Sequence, residues 1–330
     1  MTGKTILVTG AEGFIGRSVV AAFSDHRVIA CDIFQASQND LPEHHCREIL
    51  DLRNGPDIRS LLHTYCPDVV IHCAGIAHQK LRNSVKADYF VVNTLGTAHL
   101  AEAAAEANPG VHFIFLSSIS VYGETHGDMA VTETDVCIPT SDYAESKLDA
   151  EIRLQTLYGE GKLKKLDMLR LAPVYDKNFC INIEKRVYAP KKLFFLKFGS
   201  GEQKMSVLSL ENLVGLIRSR VGREDSWEGG REGKNPFCET FNVCDKDPVT
   251  FKQIIDIFKQ SRFQPTRVTI PIPLCVVKGM VNIAGYVLTA RSSWISSCYD
   301  KLAADLVFDN GRMLQTGFQP KASLRSVFLQ

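Results

Sequence analysis

The chain has 330 residues, 45% hydrophobic and 23% charged, with a formal net charge of +1. That length supports one large domain or two sharing a core, and the balanced charge gives no electrostatic case for nucleic acid or an anionic membrane as the main partner. The start, MTGKTILVTG, lacks the basic-apolar-small order of a secretory signal, and ten scattered cysteines form no C-x-x-C pair. The expected compartment is therefore the cytoplasm, with reduced thiols.

TILVTG (5–10) reads as a strand and FIGRSVVAAFSD (14–25) as a helix. RVIACDI (27–33) is a second strand. His44-His45-Cys46 reads as a polar loop rather than a metal site, because adjacent side chains do not readily face one ion. A helical segment near 56–65 precedes the strand DVVIHCAG (68–75). The helical run 89–107 leads into VHFIFLSS (111–118), and the helix 143–160 into LDMLRLAP (166–173). Apolar strands separated by helices predict an α/β fold with a Rossmann-type, doubly wound parallel sheet.

Past about residue 176 the pattern loosens towards a smaller C-terminal α/β lobe. The expected division is 1–175 for cofactor and catalysis and 176–330 for substrate, with parts of the latter free to return to the sheet. GREDSWEGGREGKNP (222–236) reads as an exposed loop. ETFNV and a helix at 250–262 follow. The stretch 268–290 is apolar, but Lys278 and two prolines keep each uncharged half short of the ~20 residues a membrane span needs. It reads as a buried or dimer-facing amphipathic helix, with an interfacial membrane helix as the alternative.

The most informative stretch is GAEGFIG, in which Gly10, Gly13 and Gly16 directly follow a strand and open a helix. Gly10 permits a tight turn, Gly13 lets the main chain approach a pyrophosphate, and Gly16 lets helix and strand pack closely. The exposed N–H groups, with Phe14 and Ile15 at the helix start, then favour phosphate. Asp32 ends the second strand, where a carboxylate accepts from ribose hydroxyls and repels a 2′-phosphate, favouring NAD over NADP. Arg17 softens that preference if it turns to the ribose; a solvent-side or phosphate-side role is the other reading.

Several further motifs run in order: Asp51-Leu52, His72-Cys73-Ala74-Gly75, Asn93 in VVNTLGTAHLAEAA, SSISVYG, YAESK and GSGEQ. Together with GAEGFIG they resemble the extended branch of the short-chain dehydrogenase/reductase superfamily, the NAD-dependent epimerase/dehydratase family. The resemblance covers nearly the whole chain. It implies that Asp51 and Leu52 contact adenine, that Cys73 and Ala74 lie beneath the cofactor, and that Asn93 is a structural, cofactor-side residue. It also implies a homodimer through helices 89–107 and 143–160.

Tyr143 and Lys147 are four apart and share one helix face. A free tyrosine titrates near ~10, so a nearby ammonium and an oxidised nicotinamide are expected to lower Tyr143 enough to make it a base. The resemblance assigns Ser118 to the reacting oxygen, with Ser117 and Ser120 close enough to compete. Lys147 would also hold the nicotinamide ribose.

The resemblance also narrows the reaction. Dehydratases of the family carry Asp-Glu directly after this serine; here Ile119 and Ser120 stand there. What remains is hydride transfer at C4 of a nucleotide-activated hexose carrying UDP or dTDP. A 4-epimerase is placed ahead of a 4-ketoreductase, which Pro173 in LRLAPVYD favours. A reductase of a non-sugar ketone and a non-catalytic NAD(P)-binding protein are further alternatives. Ser120, Lys185, Arg186 and Lys204 are the candidate substrate contacts, the last beside Met205 where the family commonly has a phosphate-binding arginine.

Overall fold

In a computed structural model, residues 3–34, 45–77, 86–123, 129–222, 236–261, 268–287, 299–300 and 302–329 are described. His44, most of the Gly-rich charged loop (223–235) and the end of the apolar stretch (288–290) lie outside them. The chain divides into two units. The first comprises residues 1–121, 137–170 and 214–241; the second comprises 122–136, 171–213 and 242–330. Each unit is thus built from separate stretches of the chain, with 214–241 in the first and 122–136 in the second.

The first unit alternates strand and helix: β1 (Thr5–Thr9), α1 (Phe14–Ala22), β2 (Arg27–Asp32), β3 (Cys46–Ile49), α2 (Gly55–Tyr65) and β4 (Val69–His72). A continuous helical run follows, made of α3 (Lys86–Tyr89), a π-helical stretch Phe90–Leu95 and α4 (Gly96–Ala107). Then come β5 (His112–Ser118), α5 (Asp142–Gly159) and β6 (Lys165–Leu171). The second unit supplies β7 (Val174–Tyr175), α6 (Ile181–Val187), β8 (Phe195–Phe198), β9 (Lys204–Met205) and β10 (Leu208–Ser209). After α7 (Leu210–Val221), β11 (Phe237–Val243) returns to the sheet. The chain continues with β12 (Val249–Thr250), α8 (Phe251–Gln260), β13 (Thr269–Ile272) and α9 (Leu274–Val287).

Seven strands form one sheet in the order β11-β6-β5-β4-β1-β2-β3. β1 pairs in parallel with β2 and β4, β2 with β3, and β4 with β5. Ile6, Leu7 and Val8 are completely buried in sequence, as a central strand covered on both faces requires. The expected Rossmann-type α/β fold is therefore what the chain adopts.

Strand β3, absent from the sequence reading, is four residues long and no more than partly buried. Its CREI sequence has neither the alternation nor the apolar run that marks a strand. Predicted strand 68–75 stops at His72. Beyond it the main chain of Cys73 and Ala74 packs against Gly10 of the glycine turn.

The second unit has its own aromatic core. Tyr188 stacks on Phe195 at a centroid distance of 4.3 Å, and Phe258 meets Phe328 edge-on at 5.1 Å. Its apolar stretch begins with β13, paired in parallel with β8, and continues as α9. Val276, Met280 and Ile283 on α9 are exposed, so this helix is not buried within the chain as one sequence reading had it. Among the described residues no helix is long and apolar enough to cross a membrane.

The glycine turn is held by close main-chain contact. Gly10 has a φ of +66°, and a Cβ there would lie 2.7 Å from the Ala74 nitrogen. A Cβ on Gly16 would fall 2.0 Å from the Gly10 carbonyl oxygen, which α1 cannot accommodate without moving off β1. Gly13 differs, since a Cβ there meets only the Gly10 oxygen, at 3.1 Å. Gly16→Ala should therefore lower the unfolding free energy by about 1–3 kcal/mol or more, whereas Gly13→Ala should cost much less stability. Urea denaturation of the two variants checks this ordering.

Candidate active site

The helix carrying Tyr143 and Lys147 starts where the sequence lets it. Ser141 is the N-cap of α5, its hydroxyl accepting from the Ala144 N–H at 3.2 Å. Asp142 and Glu145 place carboxylates in the first turn, favourable at the positive end of the helix dipole. Lys86 bridges both, at 3.4 and 2.7 Å. This start fixes the register of the helix and so the direction of Tyr143.

Tyr143 and Ser118 are joined by a side-chain hydrogen bond. Ser118 in turn accepts from the Ser120 hydroxyl at 2.9 Å and from its N–H at 3.2 Å. Ser117, one residue earlier on β5, is buried and donates instead to Glu151. Strand alternation separates the two serines, so the ambiguity of SSIS resolves into three distinct positions.

Lys147 lies one helical turn from Tyr143 and is almost fully buried. Its ammonium donates to the Leu116 carbonyl at 2.9 Å and stands 4.7 Å from the centre of the Phe115 ring. Loss of solvent pulls its pKa down from 10.5 to about 8, partly opposed by Cys73 and Glu151. Tyr143 departs from the sequence expectation. Burial raises it above its ordinary value, the Ser118 hydrogen bond pulls it down, and Tyr89 raises it further. Desolvation of the phenolate is the largest of these influences and outweighs the Ser118 hydrogen bond.

A second set of groups surrounds this pair. Asn93 is completely buried; its oxygen accepts from the Ile76 N–H at 2.8 Å, and its amide donates to Ile76 O and Ser146 Oγ, both at 3.0 Å. It therefore ties the loop after β4 to α5. Gly75 in that loop is so close that a Cβ would meet Asn93 Oδ1 at 3.1 Å and Lys147 Nζ at 3.2 Å. His72 is held between Thr9 (2.6 Å) and Thr97 (2.8 Å), and burial drives its pKa down to about 3. It stays a neutral structural group.

Cofactor candidates lie along the ends of β1, β2 and β4. Asp32 accepts from the Glu12 N–H at 2.9 Å and the Ile33 N–H at 2.8 Å, so the end of β2 fixes the glycine turn. The bare main chain at Gly13, with Phe14 and Ile15 in the first turn of α1, fits a dinucleotide pyrophosphate. Cys73 is partly buried, its thiol pushed up to about 12 by desolvation, with Ala74 beside it. Asp51 pairs with Arg53 at 2.6 Å, which holds its carboxyl below the usual range. The Leu52 side chain is buried in the core, close against Gly96.

Lys185 and Arg186 fall in the last turn of α6, and Lys204 is exposed on β9. Met205 is a core residue. Sequence reasoning missed three participants: Glu151, its partner Arg170, and Arg47. Glu151 was discoverable, since it continues the Tyr143–Lys147 spacing by another four residues.

A model of the NAD-dependent epimerase/dehydratase family matches residues 6–208. The chain belongs to that family. It is an NAD-dependent enzyme of the extended short-chain dehydrogenase/reductase type. The UDP-glucose 4-epimerase of Vibrio cholerae is 28% identical over 99% of this chain and 94% of its own. Among solved structures, the UDP-glucose 4-epimerase of Thermotoga maritima, determined with UDP-glucose, superposes with a TM-score of 0.69 and 22% identity, covering 98% of this chain and 96% of its own. The UDP-glucuronic acid 4-epimerase of Bacillus cereus, determined with NAD, gives 0.70 and 21%, with 98% and 95% covered. These two likenesses bear on the fold.

Two outcomes follow from the side-chain geometry. If Ser118 supports the reacting oxygen, as the resemblance implies, Ser118→Ala should reduce kcat by about 10²–10³-fold. Ser117→Ala should leave kcat within a few-fold and instead destabilise the chain by about 1–3 kcal/mol through Glu151; steady-state kinetics with denaturation separates the two. The second concerns Lys147. The folded chain holds fewer protons there than the unfolded chain between pH 8 and 10.5, so the unfavourable burial of charge is complete below about pH 8 and fades as pH rises. Lys147→Met should abolish turnover, and its stability relative to the parent chain should fall as the pH rises from about 8 to 10.5, by up to about 3 kcal/mol, as the penalty it relieves fades. A pH-independent loss of stability would contradict this account of the amine.

Proposed function

We propose that the chain interconverts C4 epimers of a nucleotide-activated hexose, carrying UDP or dTDP, by reversible hydride transfer. The observation that carries this reading is the linked set Ser118–Tyr143 with Lys147 one turn on, beside a glycine turn suited to a dinucleotide. Bound NAD supplies the hydride acceptor and, on the return step, the donor.

Tyr143, as phenolate, takes the proton of the C4 hydroxyl while the hydride leaves the same carbon. Ser118 holds the C4 oxygen as it becomes a carbonyl, and Ser120, which donates to Ser118, orients that hydroxyl. Lys147 anchors the nicotinamide ribose, and its charge becomes useful to Tyr143 once the cofactor and sugar complete the site. The keto sugar turns over in place, Tyr143 returns its proton, and the other face of C4 is reduced. Gly10, Gly13, Phe14, Ile15 and Gly16 cradle the pyrophosphate. Asp32 takes the adenosine ribose, and Asp51 and Leu52 border the adenine. Cys73 and Ala74 lie beneath the cofactor, with Asn93 acting through the loop it holds. Lys185, Arg186 and Lys204 are the candidates for the sugar nucleotide's diphosphate.

A one-way 4-ketoreductase would use the same three side chains. Pro173 favours it: the residue offers a sugar no side-chain amide, and its carbonyl already accepts from the Leu208 N–H at 3.1 Å. The purified protein should be incubated with UDP- and dTDP-hexoses, and products followed by proton NMR alongside absorbance of reduced nicotinamide. The proposal expects a C4 epimer without net cofactor reduction, lost in Tyr143→Phe. Stoichiometric accumulation of reduced cofactor would favour the single transfer, and absence of either with every activated hexose would reject hydride transfer at the sugar.

A further inference from the structure

Glu12 is an unusual residue to find inside a turn suited to an anion. Its carboxylate is largely buried and lies between two arginines: Arg47 Nη1 on Oε1, and Arg17 Nη2 at 3.3 Å from Oε2. Its own N–H donates to Asp32 Oδ2 at 2.9 Å. Arg47 stands opposite Ala30 in the β2–β3 register, two residues before Asp32, and so shares the sheet face of Asp32. Arg17 is on the first turns of α1, its side chain mostly exposed. Two guanidinium groups therefore converge on the acid whose own N–H is held by Asp32, the carboxylate expected to hold the adenosine ribose.

Planar guanidinium groups are the side chains best suited to a phosphate monoester, because they offer paired donors in a fixed fork. Left unengaged beside the ribose, Arg17 and Arg47 would favour a 2′-phosphate and offset the repulsion from Asp32. Both are instead engaged by Glu12, which cancels one of their two charges and whose place in the turn is fixed through its own main chain.

We propose that Glu12 is a coenzyme-specificity residue: it withholds Arg17 and Arg47 from a 2′-phosphate and thereby makes the chain prefer NAD to NADP. The inference rests on the reading that the glycine turn and Asp32 bind the dinucleotide. It gives Glu12 a role apart from the hydride-transfer residues, since it touches neither Tyr143 nor Lys147.

Equilibrium binding by isothermal titration calorimetry tests it without turnover. Wild-type protein should bind NAD well and NADP weakly. Glu12→Gln keeps the main-chain bond to Asp32 but removes the charge, and should shrink the NAD-over-NADP affinity ratio by about tenfold or more. Glu12→Ser, which takes the side chain away from both arginines, should move the ratio the same way, so poor folding of one variant does not close the question. Adding Arg47→Met to Glu12→Gln should restore much of the original ratio. An unchanged ratio in both Glu12 variants, with NAD binding intact, overturns the inference. Failure of the wild type to bind NAD at all would instead defeat the cofactor cradle beneath it.

Discussion

The ammonium of Lys147 sits among main chain and rings rather than water: Leu116 O at 2.9 Å, the Phe115 ring face, and Gly75 so near that a methyl group would touch it. A buried cation is costly unless its donors are used, and this one draws three elements together. β5 brings the carbonyl, the loop after β4 brings the glycine, and α5 brings the lysine itself. Asn93 fastens the same loop and the same helix through Ile76 and Ser146. Rigidity of this kind places the phenol of Tyr143 one turn away without any direct bond between the two residues being needed.

The glycine turn works by the opposite means. There the fold gains from what is missing, since Gly10 and Gly16 allow main chain to lie on main chain where a Cβ would intrude. The turn is then fastened by Asp32, which takes the Glu12 N–H. A carboxylate expected to read a ribose is thus also a structural bolt between β2 and the loop. Its replacement would loosen the glycine turn itself.

Much of this was legible because it depends on spacing along one element. Three glycines after an apolar strand, and Tyr143 with Lys147 four apart, express the periods of strand and helix. What was hidden depends on partners distant in sequence. Ser117, Ser118 and Ser120 look alike in SSISVYG; only the presence of Glu151 on one side and Tyr143 on the other tells them apart. Strand β3 was hidden because CREI is half exposed and its pairing with β2 is decided by tertiary contact. The rise of Tyr143 above its ordinary value was missed because spacing carries no information about desolvation. The interleaving of 122–136 and 214–241 between the units follows from sheet pairing and contact, which linear composition does not record.

Burial around Lys147 also limits the chemistry. His72 is a conventional acid–base group on β4, but with its pKa near 3 and both ring nitrogens engaged by threonines it stays neutral and is a weak base at neutral pH. The Cys73 thiol, raised to about 12, stays protonated. Glu151 is clamped by Arg170 at 2.7 Å and by Ser117, its lone pairs already directed into the protein. Each of these groups could in principle have abstracted a proton from carbon beside a ketone, as elimination or epimerisation next to a carbonyl requires. Each is removed from that role by its surroundings, and Ile119 and Ser120 bring no acid to replace them. Tyr143 is not so engaged, its side chain being joined to Ser118, and a proton acceptor paired with a hydride acceptor is what the proposed oxidation and reduction of one carbon needs.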